Sequence, residues 1–375
     1  MRCIVLTLIF ILVSAGNIFA FHYDKVSFNP AVYYTNAYYS KDYYKQVSSL
    51  YIYAPADISF NNIDATVRIN PFYSSHYDKA SFAEAFLLLN YKHLSLKTGR
   101  QFLSFDKDFF IYLGSDNRFD NPLPSYGDGA LLGLDYNNFK ASAFLLYADD
   151  KLGGIDLNIL QDFPLSFSLF SYFKQAADDK LTLSGITARA EVTSQLSLRG
   201  AFAFNGGNRQ YTFFGMPLKK NYKGTAFLAE AKYYIPSQEF DLYFNAGYYF
   251  TSAAKNNSYA FNSITGYNIY GVFAASGSLL AQGIEAVKLN LNILPLRLKE
   301  LNADISLFYY YSSLDSAYDK FIGSEWDFTL SYIMPYGKIS AYAGIFSPNK
   351  NFKQYAIPAE NAVKIGGYIS INNLF

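Results

Sequence analysis

Apolar and polar residues alternate with period two along most of the chain. This is the period of a β-strand, whose successive side chains point to opposite faces. Phe240-Asp241-Leu242-Tyr243-Phe244-Asn245-Ala246-Gly247-Tyr248 puts Phe, Leu, Phe, Ala and Tyr on one face and Asp, Tyr, Asn and Gly on the other. Trp326 to Tyr332, Ile155 to Ile159 and Leu196 to Phe202 repeat the pattern. A strand wherever the alternation holds predicts eighteen, at 26–38, 47–58, 63–73, 82–92, 94–104, 128–137, 139–148, 153–161, 164–174, 180–192, 194–205, 223–234, 238–251, 281–293, 296–312, 323–334, 337–346 and 361–375. These segments run to about ten residues, the length with which a tilted strand crosses a hydrocarbon layer.

The connections alternate in length. Asn61-Asn62, Tyr91-Lys92-His93, Asn137-Asn138, Asp162-Phe163-Pro164, Thr193-Ser194, Pro236-Ser237-Gln238, Leu294-Pro295 and Pro335-Tyr336-Gly337 read as tight turns, whereas 105–127, 206–222, 252–280, 313–322 and 347–360 read as long loops. A soluble sandwich has no reason to keep that phase; an outer-membrane barrel has short periplasmic turns and long extracellular loops. Backbone groups in lipid must be paired internally, so a spanning sheet has to close on itself. The expected fold is all-β, a transmembrane antiparallel barrel of about eighteen strands with both termini on the periplasmic side.

Composition narrows the class further. The chain has 375 residues with 36 Tyr and 35 Phe, and charged residues make up 16%, against about 25% in soluble domains. That excludes a disordered chain. Mean hydropathy is +0.02, and beyond the first twenty positions no apolar run approaches a spanning helix. The aromatic excess fits two interfacial girdles, with Tyr147, Tyr172-Phe173, Tyr233-Tyr234, Tyr248-Tyr249-Phe250 and Tyr309-Tyr310-Tyr311 at strand ends.

Residues 1–20 combine a basic start at Arg2, an apolar core from Ile4 to Val13 and a small-residue site ending at Ala20. They read as a cleaved signal peptide, leaving 21–375 as a single barrel domain. The one cysteine, Cys3, lies inside the signal, so the mature chain has no disulfide and no thiolate metal site. Removing Arg2 with it leaves 30 Lys+Arg against 30 Asp+Glu. A neutral chain lacks the electrostatic support of nucleic-acid binding. The terminal Phe375, on a strand with Val363, Ile365, Gly367, Ile369 and Ile371 outward, resembles the signal read by the barrel-insertion machinery.

Strand parity sorts the charges that would face a polar lumen. The inward cations are Arg68, Lys97, Lys140, Arg189, Arg199, Lys232, Lys288, Lys338 and Lys364; the inward acids are Asp57, Glu84, Asp135, Asp156, Glu191, Glu230, Asp241, Asp304 and Asp327. A polyanion pore is lined mainly by Arg and Lys, so this balance reads better as cross-strand pairs that hold the wall. Inward Tyr51, Tyr53, Tyr243, Tyr249, Tyr310, Tyr342 and Tyr368, with Phe86 and Phe170, form a candidate aromatic track for sugar rings.

Catalysis has little support. His22, His76 and His93 are not spaced with a nucleophile or a second metal ligand, and His76 with Asp78 in a short external loop is the one candidate acid/base pair weighed. No cofactor and no metal site are expected.

Lys97-Thr98-Gly99-Arg100-Gln101-Phe102-Leu103, followed by Asp116-Asn117-Arg118-Phe119-Asp120, resembles the alginate-export porin family, whose members carry a Gly-Arg-Gln in a similar place. Tyr126 to Leu134, Glu325 to Tyr332 and Tyr342 to Phe346 are similar to further strands of that family. The resemblance implies a monomeric eighteen-stranded barrel that exports an anionic uronate polysaccharide, with Arg100 in its basic pore lining. Parity places Arg100 with Leu94 and Leu96 on the lipid side, so an inward Arg100 requires a bulge at Gly99 or a position at the external rim. The expected function is a non-enzymatic porin for small anionic or carbohydrate solutes, lined by Arg68, Lys97, Arg100, Lys140, Arg189, Arg199, Lys232, Lys288, Tyr243 and Tyr310. The alternative is a structural or adhesive barrel whose loops 105–127 and 252–280 bind outside partners.

Overall fold

The computed structural model describes residues 25–28, 31–39, 47–60, 64–75, 79–104, 112–113, 126–148, 150–160, 164–213, 216–253, 258–259, 283–313, 320–335, 337–349 and 361–372. The signal segment, His76, Asp78, loop residues 114–125 and Phe375 lie outside them.

The strands are β1 (Lys25–Phe28), β2 (Ala31–Tyr39), β3 (Val47–Tyr53), β4 (Ala56–Phe60), β5 (Ala65–Ser74), β6 (Lys79–Tyr91), β7 (Leu94–Gln101), β8 (Leu103–Ser104) and β9 (Tyr112–Leu113). They continue as β10 (Gly127–Tyr136), β11 (Phe139–Tyr147), β12 (Lys151–Ile159), β13 (Leu165–Gln175), β14 (Asp179–Glu191), β15 (Leu196–Phe213), β16 (Met216–Tyr222), β17 (Gly224–Pro236) and β18 (Phe240–Thr251). The last are β19 (Ser258–Tyr259), β20 (Ile284–Pro295), β21 (Leu301–Ser312), β22 (Phe321–Met334), β23 (Gly337–Pro348) and β24 (Ala362–Asn372).

Neighbour follows neighbour in antiparallel pairs, and β2 pairs with β24 to close the ring. With β1 and β2, β3 and β4, and β16 and β17 each counted as one interrupted stave, the closed wall has eighteen staves. The expected barrel is therefore the observed fold. The β16/β17 register is continuous across its break, because Asn208↔Asn221 and Asn205↔Gly224 bracket it without a shift. Within the segment 206–222, expected as a loop, residues 206–213 and 216–222 are instead the paired upper part of this hairpin, since the alternation of β15 runs on to Phe213. A second difference lies at Leu294-Pro295: β20 continues through Pro295, and the turn is closed by Leu298 N–H to Pro295 O (3.3 Å) and Leu301 N–H to Leu298 O (2.8 Å).

Tight turns cluster at one end of the barrel. Tyr91↔Leu94 and Tyr136↔Phe139 leave two-residue turns, and Lys92 (φ 54°) and Asn137 (φ 52°) take the left-handed conformation such turns demand. At the same end, three adjacent staves are interrupted together. The ladders on either side of Ala54-Pro55 are Phe28↔Ala56 and Ala31↔Tyr53, and β5 carries a bulge against β6 at Asn70/Pro71. Pro55 and Pro71 explain the level of the break on their staves, since proline cannot donate to a ladder.

The two faces differ as the alternation predicts. Outward positions are large and apolar across most staves: Leu96, Leu132, Ile155, Leu169, Ile186, Phe202, Phe227, Phe244, Trp326, Phe328, Leu330, Ile339 and Ile365 are all exposed. Inward positions divide by height. Toward the ends remote from the tight turns, Phe144, Leu146, Leu152, Phe170, Tyr172, Leu183, Leu228, Tyr249, Phe308, Tyr310 and Phe346 form one buried cluster. Nearer the tight turns, the inner wall is polar.

Candidate functional site: the inner wall

Parity and cross-strand register bring the inward charges into two arcs. In the first, β4 to β7 present Asp57, Arg68, Glu84 and Lys97. Arg68 donates through Nε and Nη2 to both carboxylate oxygens of Asp57 (2.7 Å each) and reaches Glu84 at 3.5 Å. Lys97 stands 4.0 Å from Glu84, and its Nζ lies 3.9 Å from the centroid of the Phe86 ring. The arc is a closed quartet of two cations and two anions around one aromatic face.

The second arc spans β14 to β20. Arg189 and Arg199 are direct cross-strand partners, an arrangement of like charges that costs energy unless each finds an acid. Each does: Arg189 donates to Glu191 on its own strand (2.7 Å), and Arg199 faces Glu230 at 3.6 Å. Glu230 also accepts from Tyr249 OH (2.6 Å). Lys232 lies 4.8 Å from the Tyr243 ring, which stacks on Tyr234, and Tyr234 OH donates to Asp241 (2.6 Å). Lys288 lies 5.5 Å from the Phe308 ring. The arc thus holds Arg189, Arg199, Lys232 and Lys288 against Glu191, Glu230 and Asp241 and is net basic.

Beside it, β18 to β21 form a neutral and acidic amide network. Asn290 receives from Asn245 (2.8 Å) and donates toward Asp304 and Ser306 (2.9 Å each), while Asn292 donates to Asn302 (2.7 Å). Apart from Asp304, an expected inward acid, neither this network nor Glu325 belongs to the residues expected from sequence. The signal was present, because Asn290-Leu291-Asn292 and Asn302-Ala303-Asp304-Ile305-Ser306 alternate as any strand does; a search for charge alone passes over amides.

Of the expected lining residues, Arg68, Lys97, Arg189, Arg199, Lys232, Lys288 and Tyr243 occupy inward positions. Lys140 is also inward but sits at the tight-turn end, paired with Asp135 (2.9 Å). Two placements need correction. The register runs through Gly99 without a bulge, as Phe86↔Gly99 and Gly99↔Gly129 show, so Arg100 keeps its outward parity. There it makes a two-pronged pair with Asp128 (2.8 Å each) over the Tyr126 ring. Gly99 serves another end: its φ is +119°, and a Cβ there would lie 2.3 Å from the Ala85 carbonyl oxygen, so it permits strand approach without reversing the faces. Tyr310 is the second correction. It is inward but 0% exposed, packed between Phe308 and Phe346 with its hydroxyl on Glu325 (2.8 Å), and it presents no face to a solute. Tyr249, Tyr342, Tyr53 and Phe170 are likewise buried, so the described residues form no continuous exposed aromatic track.

No protein-family model matches the sequence, and no curated protein does either. Solved structures do. The chain is similar to OprD of Pseudomonas aeruginosa (10% identity, TM-score 0.65, covering 94% of this chain and 96% of that one). It is equally similar to OccK5 (OpdH) of the same organism (9%, 0.65, 93% and 98%). A third is OccK2 (OpdF), determined in complex with glucuronate (12%, 0.64, 93% and 98%). The shared property is the fold, that of a bacterial outer-membrane porin barrel.

Proposed function

We propose that the protein is a non-enzymatic outer-membrane channel that passes small anionic or carbohydrate solutes, exported behind residues 1–20 and inserted as a monomer. The observation that carries the reading is the net basic arc of Arg189, Arg199, Lys232 and Lys288, on four of the five consecutive lumen-facing staves from β14 to β20. Low-dielectric walls focus the field of such an arc onto the bore. Its aromatic partners, Tyr243 and Phe308, add apolar faces against which a sugar ring can stack while the cations hold its carboxylate.

A uronate joins both chemistries. Glucuronate accompanies one porin of the same fold, and the alginate-export resemblance implies a uronate polymer. The compensated quartet around Phe86 and the outward Arg100 weigh against a polymer, which leaves monomeric uronates as the preferred solutes. The test is single-channel recording of purified protein in planar bilayers. Anion-selective reversal potentials and concentration-dependent block by glucuronate, stronger than by glucose, are expected. Absence of conductance overturns the channel, and cation selectivity overturns the anionic clause.

A further inference from the structure

Cross-strand register strings one unbroken row of outward residues across eight staves: Arg100↔Asp128↔Tyr147↔Lys151↔Gln175↔Lys180↔Asn208↔Asn221. It lies at the ends remote from the tight turns, one outward position above the exposed Leu145 and two above the exposed Ile155 and Phe204. Those residues end the band that faces lipid, so the row stands at the height of lipid headgroups on the loop side of the membrane. Its charges are unequal in kind. Arg100 is consumed by Asp128. Lys151 and Lys180 form no ion pair among the described residues, nor does Lys223, which the register sets opposite Gly206 on the same face. Of the nearby acids, Asp150 holds Lys174 (2.9 Å) and Asp179 accepts from Tyr222 OH (2.8 Å), while the exposed Asp178, two residues from Lys180, forms no ion pair among the described residues.

Lys151 and Lys180 are two staves apart, a span of about 10 Å at the usual interstrand spacing. Lys151 also lies 6.0 Å from the ring of Tyr147, an exposed aromatic of the girdle type. We infer that Tyr147, Lys151, Gln175, Lys180 and Lys223 form a docking patch for a phosphorylated glycolipid of the outer leaflet. Its phosphates meet the lysines, and its acyl chains run down the apolar wall beneath them. Three cations on the outward face without an ion pair among the described residues have no role in the lumen, and phosphate is the anion that a membrane supplies at this depth.

Native mass spectrometry of the full chain, purified in detergent supplemented with diphosphoryl lipid A, tests the assignment. The wild type should retain diphosphoryl lipid A in preference to monophosphoryl lipid A and to phosphatidylethanolamine. Each lysine removed, as Lys151→Gln, Lys180→Gln or Lys223→Gln, should weaken retention about fivefold. A control that removes the same charge from the tight-turn end, Lys25→Gln with Lys92→Gln and Lys299→Gln, should leave it unchanged. Folding of each variant is read from heat-dependent gel migration, and Lys180→Gln alone carries the test if another of the three single variants does not fold. Equal loss in the control, no preference for the diphosphorylated lipid, or equally effective competition by inorganic phosphate overturns the proposal. Conductance should be unaffected by these substitutions, so this test and that of the channel fail separately.

Discussion

Glu230 is the acid that most limits the basic arc. It sits 3.6 Å from Arg199 and takes the Tyr249 hydroxyl at 2.6 Å. In Glu230→Gln the amide oxygen still accepts from Tyr249, while the negative charge is lost. Arg199 and Glu230 are partly exposed, so losing the pair costs little stability. The gain is one unit of positive charge at the wall. For an ion passing about 8 Å away in water, that charge is worth about 0.5 kcal/mol before screening. Screening leaves about 0.4 kcal/mol at 0.01 M salt and about 0.2 kcal/mol at 0.15 M. The effect has opposite sign for anion and cation, so the permeability ratio should shift toward anions about fourfold at low salt and about twofold at 0.15 M. Reversal potentials across a salt gradient in planar bilayers measure it, and Arg199→Gln should shift the ratio the other way by a similar factor. A Glu230→Gln channel with unchanged selectivity, or with a shift that does not shrink as salt rises, would show that this side chain does not act on the permeating ion through its charge.

Leu330 and Thr329 are adjacent on β22 and face opposite media. Leu330→Arg should destabilise the barrel in lipid by about 2–4 kcal/mol and Thr329→Arg by far less, as measured by urea unfolding in vesicles; equal costs would refute the facing. Tyr310→Phe withdraws a donor from the fully buried Glu325 and should cost about 1–3 kcal/mol in the same assay without altering conductance. Arg100→Ala should leave ion selectivity at the wild-type value, because the guanidinium is outward and neutralised by Asp128; a change in reversal potential would return it to the lumen.

The barrel was legible because period-two alternation reports the face of every strand without reference to a partner, and turn phase reports which end is which. Parity alone placed Arg189, Arg199, Lys232 and Lys288 on the inward face. Arg100 marks where family likeness and parity disagreed, and the unshifted register at Gly99 decides for parity. Tyr310 marks a different limit. Alternation tells inward from outward but not water from packing, and the apolar upper half of the inner wall becomes visible only when neighbouring staves are assembled. The extension of β15 past Asn205 was hidden because Gly206-Gly207-Asn208 has turn composition; Gly207, at φ +107°, keeps the ladder intact where a loop was expected.

The interruption shared by the first staves sets how the cylinder is sealed. β1 pairs with β4, whereas β2 pairs with β3 and β24. The proline level therefore uncouples the lower end of the first staves from the closing contact, which consists of the nine residue pairs from Ala31↔Asn372 to Tyr39↔Lys364. The seam is therefore short: first and last strands align directly over that length alone, and the rest of the first stave is held through β4.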